Sequence, residues 1–260
     1  MLNTWQDWMS FSNNNPWLVA LALNSILAIV ATIIPKKLLT PAGLINAWGL
    51  GVVIWGTLGW RGYGVVLFYF LVGSAVTRIG MAQKEAEGIA EKRGGARGPE
   101  NVWGSAVAGT ICAIGIATIG WGWLDAGWEP LLLLGYVASF STKLADTTAS
   151  EVGKAYGKRT FLITTFQPVP RGTEGAVSLE GTLAGIVGGI LIAVVAYSLG
   201  LISLTGIVIC TIASFIATNL ESVIGATLQS KIDWLSNELV NVINTMIGAS
   251  VAIAIALWWH

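Results

Sequence analysis

Charge is what this sequence has least of. Only 11% of its 260 residues are Asp, Glu, Lys or Arg, against about a quarter in a soluble globular domain. Hydrophobic residues make up 54% of the chain, and the mean hydropathy is +0.71. Such a composition excludes an ordinary water-soluble fold and identifies an integral membrane protein. The 14 basic and 14 acidic residues cancel, so overall charge points to no partner, nucleic acid included, and only the placement of charges along the chain is informative. Cysteine is nearly absent. Cys112 and Cys210 both lie inside apolar runs, which excludes a disulfide framework or metal-type spacing and leaves them as small hydrophobes. The opening MLNTWQDWMSFSNNNP has no basic stretch before the first apolar run, so no cleaved signal peptide is expected and that run reads as a retained helix.

A membrane-spanning helix needs about 20 mostly apolar residues. On that basis the chain contains eight candidates, at 17–34, 41–60, 62–80, 103–122, 130–149, 181–199, 201–226 and 238–259. The fifth and seventh carry Lys143, Asp146 and Glu221 within them or at their ends. Short cytoplasmic loops collect Lys and Arg, which tests the count. Lys36 and Lys37 follow the first span, Arg78 to Arg97 the third, Lys143 to Arg171 surround the end of the fifth, and Lys231 follows the seventh. Of the 14 basic residues only Arg61 falls on the opposite side. Both termini are therefore expected on the non-cytoplasmic side, with Trp5, Trp8, Trp17, Trp60, Trp121, Trp123, Trp128, Trp258 and Trp259 anchoring that interface. The expected architecture is an all-α polytopic membrane protein, a single domain over 1–260, with two long cytoplasmic loops at 81–102 and 150–180. The second contains TFLITTF followed by a Pro-rich turn, which predicts a short β-hairpin.

Several polar constellations interrupt this apolar pattern. Lys143, Asp146 and Ser150 are spaced to share one helical face, either as a helix-end ion pair or as the start of a site. Beyond them come Glu151, then Gly153 and Gly157 bracketing Lys154, then Lys158 and Arg159. Small residues allow a backbone or a phosphate to approach, although two glycines four apart also suit plain helix packing. Arg171, Glu174, Ser178 and Glu180 gather before the sixth span, where free N–H groups at a helix start favour anions. Glu180 could offset the helix dipole or serve as a Mg2+ ligand. Ser214, Thr218, Glu221 and Gly225 form one stripe in the seventh span, and Asn237, Asn241 and Asn244 another in the eighth. Polar groups at membrane depth turn inward, as helix glue or as a substrate path. Residues 84–93 read as a solvated helical segment, and Arg97, among Gly94, Gly95 and Gly98, as a basic side chain in a pliable loop.

Asp146, Ala149, Gly153 and Gly157, followed by TEGAVSLEGTLAG, resemble the D-x-x-A-x-x-x-G-x-x-x-G segment of CTP-dependent dolichol and polyprenol kinases. Ala176 and Val177 stand where that family has paired lysines. Over nearly the whole chain the pattern is more similar to the branch containing the phytyl-phosphate kinase of tocopherol synthesis. The matching blocks are GSAVTRIG at 73–80, the EKRGGARGPENVWG loop, LADTTASEVGKAYGK, NLESVIGATLQ at 219–229 and NELVNVINT at 237–245.

This resemblance implies transfer of the γ-phosphoryl group of a nucleoside triphosphate, CTP first, to an isoprenyl monophosphate such as phytyl phosphate at the cytoplasmic face. Phosphoryl transfer needs chiefly positioning and charge neutralisation. On that reading Asp146, Lys143 and Glu180 are the catalytic group, with Mg2+ held by Asp146 and Glu180 or Glu221. Ser150, Gly153, Lys154, Gly157, Lys158, Arg171 and Ser178 form the nucleotide site. Arg78 and Arg97 hold the acceptor phosphate, and Asn237, Asn241 and Asn244 line the lipid entrance. Two other functions use similar residues. A lipid-phosphate carrier or flippase would spread its polar residues through the bilayer depth, and a CTP-dependent cytidylyltransferase would release pyrophosphate.

Overall fold

The computed structural model describes residues 15–34, 37–229, 231–232 and 234–259. Trp5, Trp8 and Lys36, to which the sequence assigns interfacial roles, lie outside the described residues. Helix α1 spans Pro16–Ile33, α2 Pro41–Thr77, α3 Met81–Ala86, α4 Pro99–Gly120 and α5 Glu129–Tyr156. After the strands β1 (Phe161–Leu162) and β2 (Ala176–Val177) come α6 at Leu179–Ser198, α7 at Leu204–Ile224 and α8 at Asn237–Trp259. The starts are written locally. Proline, whose missing N–H costs nothing in a first turn, opens α1, α2 and α4. The side chains of Thr40, Ser178 and Ser203 accept hydrogen bonds from Gly43, Gly181 and Gly206 N–H, capping α2, α6 and α7.

Six helices among the described residues, α1, α2, α4, α6, α7 and α8, are long and apolar enough to cross a membrane. At 37 residues α2 is too long for one crossing, since about 20 suffice. It breaks at Gly59, whose φ of 62° and ψ of −159° suit a residue without Cβ. The chain then doubles back, so that Arg78 at its far end donates to the Lys37 carbonyl before its start, at 3.4 Å. The two expected spans at 41–60 and 62–80 are thus the arms of one broken helix, with the reversal two residues before Arg61. The arms of α2 count as two crossings and α5 adds another, giving the eight expected.

α5 is not among the apolar six, and it need not be. It packs against α2, α4, α6, α7 and α8, so protein rather than lipid surrounds its polar residues. It begins beside the α6–α7 turn and Trp259 and ends where α4 and α8 begin. Every described Lys and Arg except Arg61 falls at that second, basic end, and the exposed Trp60, Trp121, Trp123, Trp128, Trp258 and Trp259 mark the first. The expected hairpin is a two-stranded antiparallel sheet pairing Phe161 with Val177 and Leu162 with Ala176, and Phe161 also bridges Pro168 across the tight turn that follows Leu162. The expected solvated helix at 84–93 is corrected: the helical turn covers Met81–Ala86 and buries Lys84 completely.

α6 lies so close to α5 that glycines are required. A Cβ at Gly181 would stand 2.6 Å from the Ala149 carbonyl oxygen, and one at Gly185 would stand 3.0 Å from that of Ala145. Gly181→Val is expected to destabilise the bundle by about 1–3 kcal/mol, read as a lower melting temperature in detergent. Gly49→Ala, where a Cβ meets nothing within 4 Å, is the control expected not to lower melting, since alanine favours a helix interior over glycine.

Candidate functional site

At the basic end the helices enclose a cavity of about 220 Å³. Its buried wall comes from α5, where Lys143, Asp146 and Ser150 share the face their spacing predicts. Lys143 Nζ donates to Asp146 Oδ2 at 2.7 Å and to Asn241 Oδ1 of α8 at 2.6 Å. Both charged residues are only 8% exposed. α7 brings Glu221 to the same cavity, where Asp146, Lys143, Glu174 and Lys154 are its charged neighbours. The start of α6, with Ser178 as its cap, forms another part of the wall, and a helix start favours anions.

A second buried pair stands beside the first, with its Glu151 also in the lining of the cavity. Lys84 Nζ is ion-paired with Glu151 of α5 and also donates to the Thr77 carbonyl at 2.8 Å. Lys84 is fully buried and Glu151 is 4% exposed. The pair clamps the start of the 79–98 loop onto α5, and that loop returns Arg97 to the cavity. Arg97 is held on three sides. Its N–H donates to the Leu38 carbonyl at 2.9 Å and its own carbonyl accepts from Thr40 N–H at 3.0 Å. Its guanidinium donates to Tyr69 Oη at 2.5 Å and lies 5.0 Å over the Tyr69 ring. Tyr69 in turn donates to Ser105 Oγ at 2.8 Å. Among the described residues no carboxylate pairs with Arg97, so a fixed, uncompensated cation lines the cavity.

The residues predicted from sequence divide cleanly. Asp146, Lys143, Ser150, Gly153 and Lys154 of α5 line the cavity, as do Arg97, Ser178, Glu221, Asn237 and Asn241. Six others do not. Glu180 lies in the first turn of α6, where a carboxylate offsets the helix dipole. Gly157 packs tightly, a Cβ there standing 3.1 Å from Ser178 Oγ, and Lys158 is exposed. Arg171 is committed to Glu87 at 2.5 Å and to the Ala155 carbonyl at 3.2 Å. Arg78 ties down the Ser74 and Lys37 carbonyls. Asn244 is fully buried, while its stripe-mates Asn241, which accepts from Lys143, and Asn237, which is exposed, both line the cavity. Sequence reasoning missed Tyr69, Ser105, Asn101 and the role of Lys84. Tyr69 and Ser105 lie inside apolar spans, and Lys84 meets a partner 67 residues away, so no local pattern marks them.

Among the described residues no group of three or more His, Cys, Asp or Glu is arranged to hold a metal ion. Mg2+ does not require one, because it is commonly bound by one or two carboxylates together with substrate phosphates and water. Asp146 and Glu221, facing one cavity, fit that donor set.

The description "Integral membrane protein DUF92" matches residues 24–249. The chain belongs to this family. It is 65% identical over 251 residues to a protein of Synechocystis sp. described as an uncharacterized membrane protein, covering 96% of this chain and 94% of that one. It is 46% identical over 240 residues to Protein VTE6, chloroplastic, of Arabidopsis thaliana, covering 91% of this chain and 71% of VTE6. A membrane protein of Methanocaldococcus jannaschii is 34% identical over 233 residues, covering 88% of this chain and 91% of its own. No solved structure matches. The match to VTE6 is consistent with the resemblance to the phytyl-phosphate kinase branch. In this DUF92 chain the blocks that carry that resemblance, distant in sequence, meet around one cavity: GSAVTRIG through Thr77, the glycine-rich loop through Arg97, and the α5, α7 and α8 blocks through Asp146, Glu221 and Asn241.

Removing one member of a buried ion pair leaves an uncompensated charge, which typically costs about 3–5 kcal/mol. Lys84→Met is therefore expected to lower thermal stability in detergent by an amount of that order. Adding Glu151→Gln should restore most of the loss. Equal melting of the single and double variants would show that the pair does not couple α3 to α5.

Proposed function

We propose that this protein is a Mg2+-dependent prenyl-phosphate kinase that transfers the γ-phosphoryl group of CTP to an isoprenyl monophosphate such as phytyl phosphate. The observation that carries the reading is one cavity at the end of the membrane spans where Asp146 and Glu221 meet Lys143, Lys154 and an Arg97 that has no carboxylate partner among the described residues, with Glu91, Glu151 and Glu174 also in the lining. Two phosphorylated substrates must be held together against their own repulsion, and catalysis of phosphoryl transfer consists largely of that positioning and neutralisation. Membership in the family and the 46% identity to VTE6 support it.

In the proposed reaction an oxygen of the acceptor phosphate attacks the γ-phosphorus of CTP, the bond from that phosphorus to the bridging β–γ oxygen breaks, and CDP leaves with the electron pair. The acceptor is already a phosphate monoester, largely ionised near neutral pH, so no strong general base is needed. Mg2+ held by Asp146 and Glu221 would neutralise charge on the nucleotide phosphates. Lys143 orients Asp146 and presents its own positive charge to the cavity. Lys154 and the start of α6 attract the nucleotide phosphates, and Arg97, rigidified by Tyr69 and Ser105, binds the acceptor phosphate. Because Lys and Arg collect on cytoplasmic loops, the cavity is proposed to face the cytoplasm.

The test uses purified protein in lipid nanodiscs with Mg2+, phytyl phosphate and CTP labelled at the γ-phosphate. Label appearing on the lipid is the expected result. Labelled pyrophosphate with none on the lipid would make the protein a cytidylyltransferase, and lipid-phosphate binding without turnover of any nucleotide would make it a carrier. Asp146→Asn is expected to slow lipid labelling by ~10² to 10³ in a protein that remains folded in detergent at the assay temperature, with a lowered melting temperature because the buried Lys143 loses its charged partner. Wild-type turnover in that variant would remove Asp146 from the reaction.

A further inference from the structure

The cavity does not stop at its charged wall. Two adjacent stripes of α7 face it: an inner one with Ser214, Thr218 and Glu221, and an outer one with Phe215 and Asn219. Ser214 is 1% exposed whereas Phe215 is 44% exposed, so the cavity runs from the interior of the bundle to its outer surface along this helix. α6 repeats the pattern. Gly181 and Gly185 are buried against α5, and Thr182 and Ile186, one position further around the helix, are half-buried and also line the cavity. Deeper in the membrane the same helices touch, since a Cβ at Gly189 would stand 2.6 Å from Ser214 Oγ. Helices in contact at that level and apart nearer the basic end leave a slot between them, floored by Ile186 and Phe215.

We infer that this slot between α6 and α7 holds the hydrocarbon chain of the acceptor lipid and passes it sideways into the bilayer. The inference rests on the prenyl-phosphate kinase reading for the identity of the phosphorylated head. The slot is amphipathic along its length: charged at the inner end, hydroxyl-lined at Thr182 and Thr218, apolar at Ile186 and Phe215. That sequence matches a phosphate joined to a branched hydrocarbon and does not match a nucleotide, whose polar ring and ribose would gain nothing from an apolar exit. Beyond the slot the exposed residues of the same helices, Leu183 on α6 and Ile212 on α7, are lipid-facing in character, so the chain never has to enter water. Asn244, by contrast, is sealed in the core, and the exposed member of the α8 stripe is Asn237, at the basic end of the cavity.

Two measurements test this. In the first, wild-type protein in nanodiscs is photolysed with a phytyl phosphate analogue carrying a diazirine on the first isoprene unit, and the adducts are mapped by peptide mass spectrometry. Adducts on the peptides containing Ile186 or Phe215 are expected. Adducts confined to α8, or none above a competitor-blocked background, would overturn the slot. Mapping needs no turnover, so it decides the slot even if the kinase assay fails. In the second, Ile186→Trp and Phe215→Ala are compared with wild type for phytyl phosphate against dimethylallyl phosphate. Narrowing or stripping the slot should lower the ratio of the two kcat/KM values about tenfold. An unchanged ratio in both variants would overturn the inference while leaving the kinase reading intact.

Discussion

In hydrocarbon a charged side chain is tolerated only where protein replaces lipid around it, and α5 concentrates Lys143, Asp146, Glu151 and Lys154 in its last turns. That single requirement organises the bundle. α5 has to be central, so α2, α4, α6, α7 and α8 all pack on it. It also has to be approached closely by at least one neighbour, and α6 meets it with glycines at 181 and 185 where any side chain would strike the Ala149 or Ala145 carbonyl. The apolar helices then supply the lipid-facing surface that α5 cannot.

Two of the buried charges on α5, Lys143 and Glu151, are answered by elements distant in sequence, and those answers build the site. Lys143 is met by Asn241, which fixes the start of α8. Glu151 is met by Lys84, which fixes the loop between α2 and α4. Removing charges from water is costly and their mutual attraction recovers that cost only with good geometry and further hydrogen bonds. Both lysines have the further bond, Lys143 to an amide and Lys84 to the Thr77 carbonyl. Glu151 is thereby satisfied structurally, whereas Arg97 has no carboxylate partner among the described residues.

The legibility of this protein in its sequence follows the range of each interaction. Spans are local, and the alternation of basic loops tests their number, so eight crossings could be read even though α5 is too polar for a hydropathy criterion. The alignment of Lys143, Asp146 and Ser150 is a property of one helix and was readable for the same reason. Glu180 and Gly157 do not line the cavity, because motif position does not say which way a residue faces once a helix starts: Glu180 falls in the capped first turn of α6, and Gly157 is consumed by packing on Ser178. Arg171 and Arg78 look free in a loop but are spent on Glu87 and on backbone carbonyls. The hold of Tyr69 and Ser105 on Arg97, and of Lys84 on Glu151, exists only in the tertiary fold.

The departure at Ala176 and Val177, where the polyprenol kinases carry paired lysines, is intelligible in these terms. Both residues form β2 and pair with Phe161 and Leu162, and both line the cavity. Loss of two cations from a phosphate site would ordinarily weaken it. Here positive charge reaches the cavity from other elements, Lys154 from α5 and Arg97 from the glycine-rich loop, and the start of α6 two residues beyond Val177 adds its N–H groups. Lysine is a flexible point charge, whereas Arg97 presents a planar fork already immobilised on the Tyr69 ring, with its backbone tied to the segment at 38–40. An anion site that relies on such a preorganised arginine gives up less side-chain entropy on binding, which allows fewer cations to hold the same phosphate.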